Sequence, residues 1–254
     1  MPRARRYSPG GMVFHLLNRG VGRRMLFAKD EDFLALERVV EESLRTRRMR
    51  LCAYCLMSNH WHFVVWPQRD GDLAAFMQHV TNMHVKRWKE HRHEIGYGHL
   101  YQGRYKCFPV ETEDYFYRVA RYVERNALCA NLVGRAEEWP WSSLRRAERE
   151  EPAFPILSTW PLPRPADWLR IVNQPQTEAE LETLRCCVNR GRPFGNPNWV
   201  ADVARRFGHV EDQELQRRIA ILPIFGGCHL YSAFIPRPHT RARSFVINRT
   251  SVGL

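Results

Sequence analysis

The chain has 254 residues, of which 44% are hydrophobic and 12% aromatic, so it can bury a core and is not broadly disordered. Its formal net charge of +12 favours a polyanionic partner, of which nucleic acid is the commonest. No apolar run reaches the length of a membrane span, and the seven cysteines follow no secretory signal. These features predict a reduced, cytoplasmic protein that does not enter a membrane.

Hydrophobic periodicity predicts four strands and three helices in the first half of the chain. The strands cover residues 12–18, 49–57, 60–66 and 104–110, and the helices run over 30–45, from 72 onwards, and over 112–128. The order is β-α-β-β-α-β followed by another helix, which is the split βαβ, or ferredoxin-like, arrangement. We predict an α+β fold: a four-stranded antiparallel sheet with two helices packed on one face and a third helix across the other.

The second half of the chain has a different composition. Residues 149–176 are rich in proline and predict a linker after a main domain at 1–148. A capping box at Thr177 and Glu180 opens a small helical C-terminal appendage with basic faces, which we place at 177–221. Residues 222–254 have no clear periodicity and stay unassigned.

Two histidines flank one large apolar residue in the third predicted strand. Because side chains alternate along a strand, His60 and His62 share one face, whereas Trp61 points into a core on the other. Their Cα atoms should lie roughly 6.6 Å apart. Two imidazoles at this distance form half of a metal site, or they are two structural histidines of a half-buried strand. The strand pattern alone leaves both interpretations open.

The third helix carries a second pair of polar side chains with regular spacing. Tyr122 and Asn126 are four residues apart and therefore lie on one helix face. The helix directly follows the fourth strand, so this face could lie over the sheet beside the histidines. Two imidazoles, an amide and a phenol suit metal-assisted phosphoryl transfer with tyrosine as the nucleophile. Alternatively, Tyr122 only packs the helix onto the sheet.

Four short motifs together resemble those of one transposase family. They are NHWHFVV at residues 59–65, YQGRYK at 101–106, RYVERN at 121–126 and EWPWSS at 138–143. This combination is similar to that of the IS200-type single-tyrosine (HUH, Y1) transposases, and especially of the REP-associated tyrosine transposase branch. The resemblance extends from Met1 to about Leu144. It supports residues 1–148 as a catalytic domain.

The resemblance implies a metal-dependent endonuclease and strand transferase that acts on single-stranded or hairpin (REP-like) DNA. By motif position, His60 and His62 become ligands of a divalent ion, Mg or Mn, and Asn126 becomes the third ligand. Tyr122 becomes the nucleophile that forms a covalent 5′-phosphotyrosine. Tyr115, two turns earlier on the same helix, is the alternative nucleophile. The longer chain favours a monomer over a dimer.

Basic and aromatic residues around this site are candidate DNA contacts. The basic candidates are Arg3, Arg5, Arg6, Arg19, Arg23, Arg24, Arg104, Lys106, Arg118, Arg121 and Arg125. Tyr105 and Trp141 are candidates for stacking on an unpaired base.

Two other functions remain possible on sequence grounds. A ferredoxin-like sheet also serves as a non-enzymatic module that binds single-stranded RNA or DNA, and a degenerate transposase could have kept only that role. A hydrolytic zinc enzyme would need a further ligand and a general base, for which Glu94 and Glu111 are the candidates.

Overall fold

The structure, a computed structural model, describes residues 8–149 and 157–206. The strands are β1 (Val13–Arg19), β2 (Met49–Met57), β3 (His60–Pro67) and β4 (Lys106–Val110). The helices are α1 (Asp30–Thr46), α2 (Asp72–His91), α3 (Asp114–Glu124), α4 (Asn126–Cys129), α5 (Ser143–Arg149), α6 (Trp168–Asn173), α7 (Glu178–Arg190) and α8 (Pro197–Arg206). The sheet order is β2-β3-β1-β4, and every neighbouring pair is antiparallel. This confirms the predicted ferredoxin-like fold.

Each face of the sheet has its own apolar core because the strand residues alternate between the two sides. On one face, α1 and α2 pack over Leu16, Trp61 and Phe63, which are at most 1% exposed. On the other face, α3 packs over Val64 and Phe108 together with the later helices. His60 and His62 belong to this second face. The split between the two cores therefore decides which helices can reach the histidines.

A short segment after α4 covers the free edge of the sheet. Strand β2 is an edge strand, and its outward N–H groups would otherwise be open to pairing with another chain. The N–H of Leu56 donates to the carbonyl of Trp141 at 2.8 Å, and the N–H of Tyr54 donates to Ser143 Oγ at 3.0 Å. The EWPWSS motif thus closes this edge and fixes the start of α5.

A buried ion pair joins α5 to α1 across the same edge. Arg146 Nη2 lies 2.9 Å from Glu37 Oε2, and the Tyr54 hydroxyl donates to Glu37 Oε1 at 2.7 Å. The Glu37 side chain is 1% exposed, so Arg146 is the positive charge that offsets its burial. Breaking such a pair by removing one partner leaves an uncompensated buried charge.

Arg146→Met is therefore expected to lower the free energy of unfolding by about 3 kcal/mol, because Glu37 stays buried without its cation. Urea unfolding measures this change. The control is Arg45→Met, which breaks an ion pair with Glu41 on a largely exposed side chain and should cost less than about 1 kcal/mol. Equal losses in the two variants would contradict a role for burial.

Beneath the two histidines, a buried hydrogen-bond network anchors β3. Trp61 Nε1 donates to the Tyr101 hydroxyl at 3.0 Å, and this hydroxyl lies 2.6 Å from His84 Nδ1 on α2. Burial lowers the pKa of His84 from 6.5 to about 4, although the nearby Asp32 carboxylate opposes the shift. His84 is therefore neutral in the folded protein at neutral pH.

This neutral histidine should make stability fall in mild acid. The folded pKa of His84 lies below the unfolded value, so its stabilisation is present above pH 6.5 and is lost as the pH falls toward about 4. At pH 5.5 the loss is about 1.4 kcal/mol. Urea unfolding between pH 7.5 and pH 5 should show that the free energy of unfolding depends less on pH in His84→Asn than in the wild type. Asparagine keeps an acceptor near the position of Nδ1. The control is His99→Asn, which removes an exposed loop histidine.

The structure differs from the sequence prediction at several boundaries. The third predicted helix is broken at Arg125, so that Asn126 begins the separate short helix α4. Strand β4 starts at Lys106, and Arg104 lies in an exposed bend before it.

The described part of the predicted linker is packed against the sheet and α3. Leu157 forms a bridge with Leu51 of β2, and Trp160 Nε1 donates to the Cys52 carbonyl at 2.7 Å. Trp168 and Val172 of α6 are buried. The proline-rich composition predicted an irregular segment. Contacts of Trp160 and Trp168 attach this segment to the sheet and to α3. The boundaries at residues 176 and 221 stay predictions, and residues 222–254 lie outside the described residues.

Within the described residues, no helix has the length and apolar character needed to cross a membrane.

Candidate active site

Two histidines of β3 form the centre of the site. His60 is paired across the sheet with Arg19 of β1, and His62 is paired with Leu17. Both side chains lie on the α3 face, as the strand alternation predicts, while Trp61 between them is 0% exposed in the opposite core. The centroids of the two imidazole rings are 5.1 Å apart. The predicted pair is therefore brought together on one side of the sheet.

Both imidazoles are held in the neutral form. Burial is the main cause that lowers the pKa of His60, and the positive charge of Arg19 adds to it. Burial likewise holds the pKa of His62 well below its usual range, with smaller effects from the neighbouring imidazoles. His60 Nδ1 lies 2.6 Å from Asn59 Oδ1, which can only accept, so the ring hydrogen is on Nδ1 and Nε2 carries the lone pair. A neutral ring with a free Nε2 is the form that binds a metal ion.

Helix α3 brings Tyr122 to these histidines. Its apolar stripe is fully buried against the sheet and consists of Phe116, Val119, Ala120 and Val123. The Tyr122 ring lies edge-on to His62, with centroids 5.6 Å apart and an interplanar angle of 84°. The phenol is only partly buried, so it lies between the histidines and solvent.

The break at Arg125 directs the next residue toward the same point. Asn126 Nδ2 lies 3.4 Å from His62 Nε2, so the amide contacts this imidazole. Among the described residues there is no cluster of three or more His, Cys, Asp and Glu side chains that could hold a metal ion. The Asn126 amide, which lies beside His62, is a candidate third ligand of another residue type.

The structure adds His15 of β1, which sequence reasoning did not include in the site. His15 Nε2 lies 2.9 Å from His62 Nδ1, and the two side chains are 1% and 2% exposed. Burial lowers the pKa of His15 to about 3. Strand alternation does put His15 on the same side of β1 as Leu17. The missing information was the strand order, since only pairing of β1 with β3 brings the two rings together.

Arg121 and Arg125, which flank Tyr122, have structural partners. Arg121 Nη2 donates to the carbonyls of Gln174 and Pro175 at 2.7 and 3.0 Å. Arg125 Nη1 donates to the carbonyls of Val172 and Asn173 at 2.8 and 2.7 Å. These carbonyls lie at the end of α6, where a helix leaves its last acceptors unpaired. The two arginines thus attach α6 to the tyrosine helix.

Glu124 attaches α3 on its other side. The carboxylate accepts hydrogen bonds from Ser143 Oγ and Trp168 Nε1, both at 2.6 Å, and the residue is 1% exposed. Burial raises its pKa, and the charge of Arg164 opposes the shift. Tyr122 therefore belongs to a helix that is tied to α5 and α6 as well as to the sheet.

The other predicted DNA contacts occupy varied environments. Arg23 is exposed in the turn after β1, and Arg24 beside it pairs with Glu94 and stacks on Trp88. Arg118 is exposed above the Tyr115 ring, whereas Lys106 Nζ donates to Asn189 Oδ1 at 3.0 Å. Arg19 is partly buried next to His60, and Arg104 is exposed. Arg3, Arg5 and Arg6 lie outside the described residues.

The alternative nucleophile and the two carboxylates considered for a zinc enzyme have other partners. Tyr115 packs edge-on against Phe194, with ring centroids 5.0 Å apart. Glu111 accepts from the backbone and side chain of Asn196, and Glu94 pairs with Arg24.

Neither predicted stacking residue is an open platform. Trp141 is 8% exposed and stacks on Phe33, so it is a core residue. Tyr105 is partly buried against the same core.

Comparison with known proteins shows what the described domain resembles. Residues 10–126 match the family model described as "Transposase IS200 like". A solved REP-associated tyrosine transposase bound to a REP hairpin is 15% identical; the match covers 70% of this chain and 100% of that chain, with a TM-score of 0.50. A putative transposase from Deinococcus radiodurans R1 is 18% identical, covering 49% and 96% of the two chains, with a TM-score of 0.34. The comparison with curated proteins gives no match.

The matched segment coincides with the site described above. It begins before β1, which carries His15, includes the β3 histidines and α3, and ends at Asn126. The structure with the REP hairpin shares the fold of this chain. Transposases of this kind are DNA-processing enzymes, in agreement with the strongly basic composition. Residues 10–126, which carry the candidate site, thus resemble the IS200-like transposases in sequence.

Proposed function

We propose that the protein is a divalent-metal-dependent endonuclease and strand transferase that cuts single-stranded DNA beside a hairpin, using Tyr122 as its nucleophile. One observation carries the proposal. The Tyr122 ring lies 5.6 Å from the ring of His62, while the Asn126 amide contacts the same imidazole. A phenol beside two neutral imidazoles and an amide is a set of groups suited to attack on phosphorus next to a metal ion.

The donor set fits a divalent ion. His60 Nε2 carries a lone pair because Nδ1 is hydrogen-bonded to Asn59 Oδ1, and the Asn126 amide contacts His62. We propose His60, His62 and Asn126 as the ligands of Mg or Mn. Three neutral ligands leave positions for phosphate oxygens, and the bound ion would polarise the scissile phosphodiester.

The residues of the chain supply the remaining parts of the reaction. The Tyr122 oxygen attacks phosphorus, a bond from phosphorus to the phenolic oxygen forms, and the bond to the 3′-oxygen breaks. The proton lost by the phenol is balanced by the proton that the leaving 3′-oxygen gains. The positive charge of Arg19, which acts on His60, would also favour the phenolate of Tyr122. The 5′-phosphotyrosine keeps the energy of the phosphodiester, so rejoining needs no ATP.

Hairpin DNA is the proposed substrate on two grounds. The solved structure that shares this fold is described as bound to a REP hairpin. Exposed Arg23, Arg104 and Arg118 lie on elements next to the site, and basic side chains contact phosphates without reading sequence. The attachment of α3 to α6 within one chain supports a monomer in which Tyr122 serves its own histidines.

A cleavage assay tests the function. The purified full-length protein would be incubated with end-labelled single-stranded hairpin DNA from the flanks of its own gene, with Mn, with Mg, or with chelator. Denaturing gels would detect the nick, and mass spectrometry would locate the adduct. We expect a metal-dependent nick and a 5′-phosphotyrosyl adduct on Tyr122. Tight hairpin binding with no nick under either metal would instead favour the second candidate, a degenerate transposase that only binds single-stranded DNA.

A further inference from the structure

We propose that His15 is a positioning residue, which accepts a hydrogen bond from His62 Nδ1 and thereby keeps the Nε2 lone pair of His62 directed at Asn126. The inference rests on the proposed function, because it concerns the form in which His62 would act as a ligand. It adds a buried histidine of β1 to a site whose proposed ligands and nucleophile lie on β3, α3 and α4. His15 itself has no direct contact with substrate in this scheme.

The first step is the contact between the two rings. His15 Nε2 and His62 Nδ1 are 2.9 Å apart, which is hydrogen-bond distance, and both side chains are buried. Two N–H groups facing each other at this distance would repel, and two lone pairs would leave both buried nitrogens without a partner. One hydrogen therefore lies between the rings, and either ring could donate it.

The second step decides which ring donates. Asn126 presents its Nδ2 to His62 Nε2 at 3.4 Å, and an amide NH₂ group can only donate. His62 Nε2 must then accept, so it carries a lone pair. A neutral imidazole has one N–H, which places the hydrogen of His62 on Nδ1 and makes His15 Nε2 the acceptor. The experiment below tests this amide orientation independently.

The third step is the rigidity of His15. Its ring packs on Phe108 of β4 with centroids 4.8 Å apart, and the Tyr122 ring lies edge-on at 6.2 Å. Strand β1 is hydrogen-bonded on both sides, to β3 and to β4. The acceptor is therefore held in place by the sheet before any ligand arrives. Groups of this kind orient a ligating histidine and fix its tautomer.

A matched pair of substitutions separates the hydrogen bond from packing. His15→Gln keeps an acceptor near the Nε2 position, because the glutamine side chain extends about as far as the imidazole. His15→Met has nearly the same length and volume as glutamine but offers only a weak sulfur acceptor. A purely structural role for His15 would affect the two variants alike. Thermal unfolding of both variants reports any loss of the fold.

The decisive readout is the tautomer of His62 in the full-length, metal-free protein. Nitrogen-15 NMR of the imidazole rings distinguishes a protonated from an unprotonated nitrogen, and a His62→Gln spectrum identifies the His62 signals. We expect hydrogen on His62 Nδ1 in the wild type and in His15→Gln. In His15→Met we expect a shift toward hydrogen on Nε2. Hydrogen on Nε2 of His62 in the wild-type protein would overturn the proposal.

Metal affinity gives the second readout. Electron paramagnetic resonance titration with Mn²⁺ should show binding weakened about 10- to 100-fold in His15→Met and close to wild type in His15→Gln. Equal affinities in the two variants would count against positioning by His15. Failure of the wild type to bind Mn²⁺ would overturn the proposed metal site instead, and the tautomer measured without metal would still decide the role of His15.

Discussion

Replacing Tyr122 with phenylalanine is expected to abolish the covalent adduct and to lower DNA cleavage by at least about 10³-fold, because the attacking oxygen is removed. The ring itself remains, and with it the edge-on contact to His62. The free energy of unfolding should change by no more than about 1 kcal/mol, since only a partly buried hydroxyl is lost. Hairpin binding should be nearly unchanged. The measurements are the hairpin nicking assay, mass spectrometry of the adduct and a binding titration.

The matched control is Tyr115→Phe on the same helix. The Tyr115 ring packs on Phe194 rather than on the histidines, so this variant should cut DNA and form the adduct as the wild type does. Loss of the adduct in Tyr115→Phe, together with its retention in Tyr122→Phe, would exchange the roles of the two tyrosines. A wild-type nicking rate in both single variants would show that neither tyrosine is the nucleophile.

Removal of both imidazoles has the second large expected effect. The double variant His60→Ala with His62→Ala should lose Mn²⁺ binding and cleave DNA at least about 10³-fold more slowly, because two of the three proposed ligands are gone. Asn126→Ala removes a single proposed ligand from the first turn of α4 and should weaken Mn²⁺ binding less, by roughly 10- to 100-fold. Metal titration and the nicking assay measure both effects.

Two controls accompany the ligand variants. His99→Ala removes an exposed loop histidine and should leave metal binding and nicking as in the wild type. Thermal unfolding without metal shows whether the double variant keeps its fold, since His62 is buried and its truncation opens a cavity. Undiminished nicking by the wild-type protein in excess chelator would contradict the metal-dependent mechanism, even if both histidines proved essential.

The local sequence was sufficient for the parts of the site that depend on one element. Alternation along a strand requires His60 and His62 to share a face, with Trp61 buried behind them. Helical spacing likewise predicts a buried stripe on α3. The order of strands and helices led to the ferredoxin-like fold because few topologies are compatible with it. For the shared face of the histidines and the buried stripe of α3, the controlling interaction lies within a few residues along the chain.

The sequence did not predict the intramolecular partners of Arg121 and Arg125, because these partners are distant in sequence. Composition indicated that the chain binds a polyanion, yet Arg121 and Arg125 donate to carbonyls 47 to 54 residues away. A guanidinium can pair with a phosphate or with the last carbonyls of a helix. The choice depends on which helix packs beside α3, and no local pattern contains that information.

The sequence alone therefore determined the fold class, the common face of His60 and His62, and the four-residue spacing of Tyr122 and Asn126. Only the tertiary structure decided what surrounds them. The pairing of β1 with β3 brings His15 to His62, and the break at Arg125 directs Asn126 to His62. Packing of Trp160 and Trp168 attaches a proline-rich segment to the sheet and α3. Periodicity arises from backbone geometry within one element, whereas these contacts depend on the relative placement of elements that lie far apart in the chain.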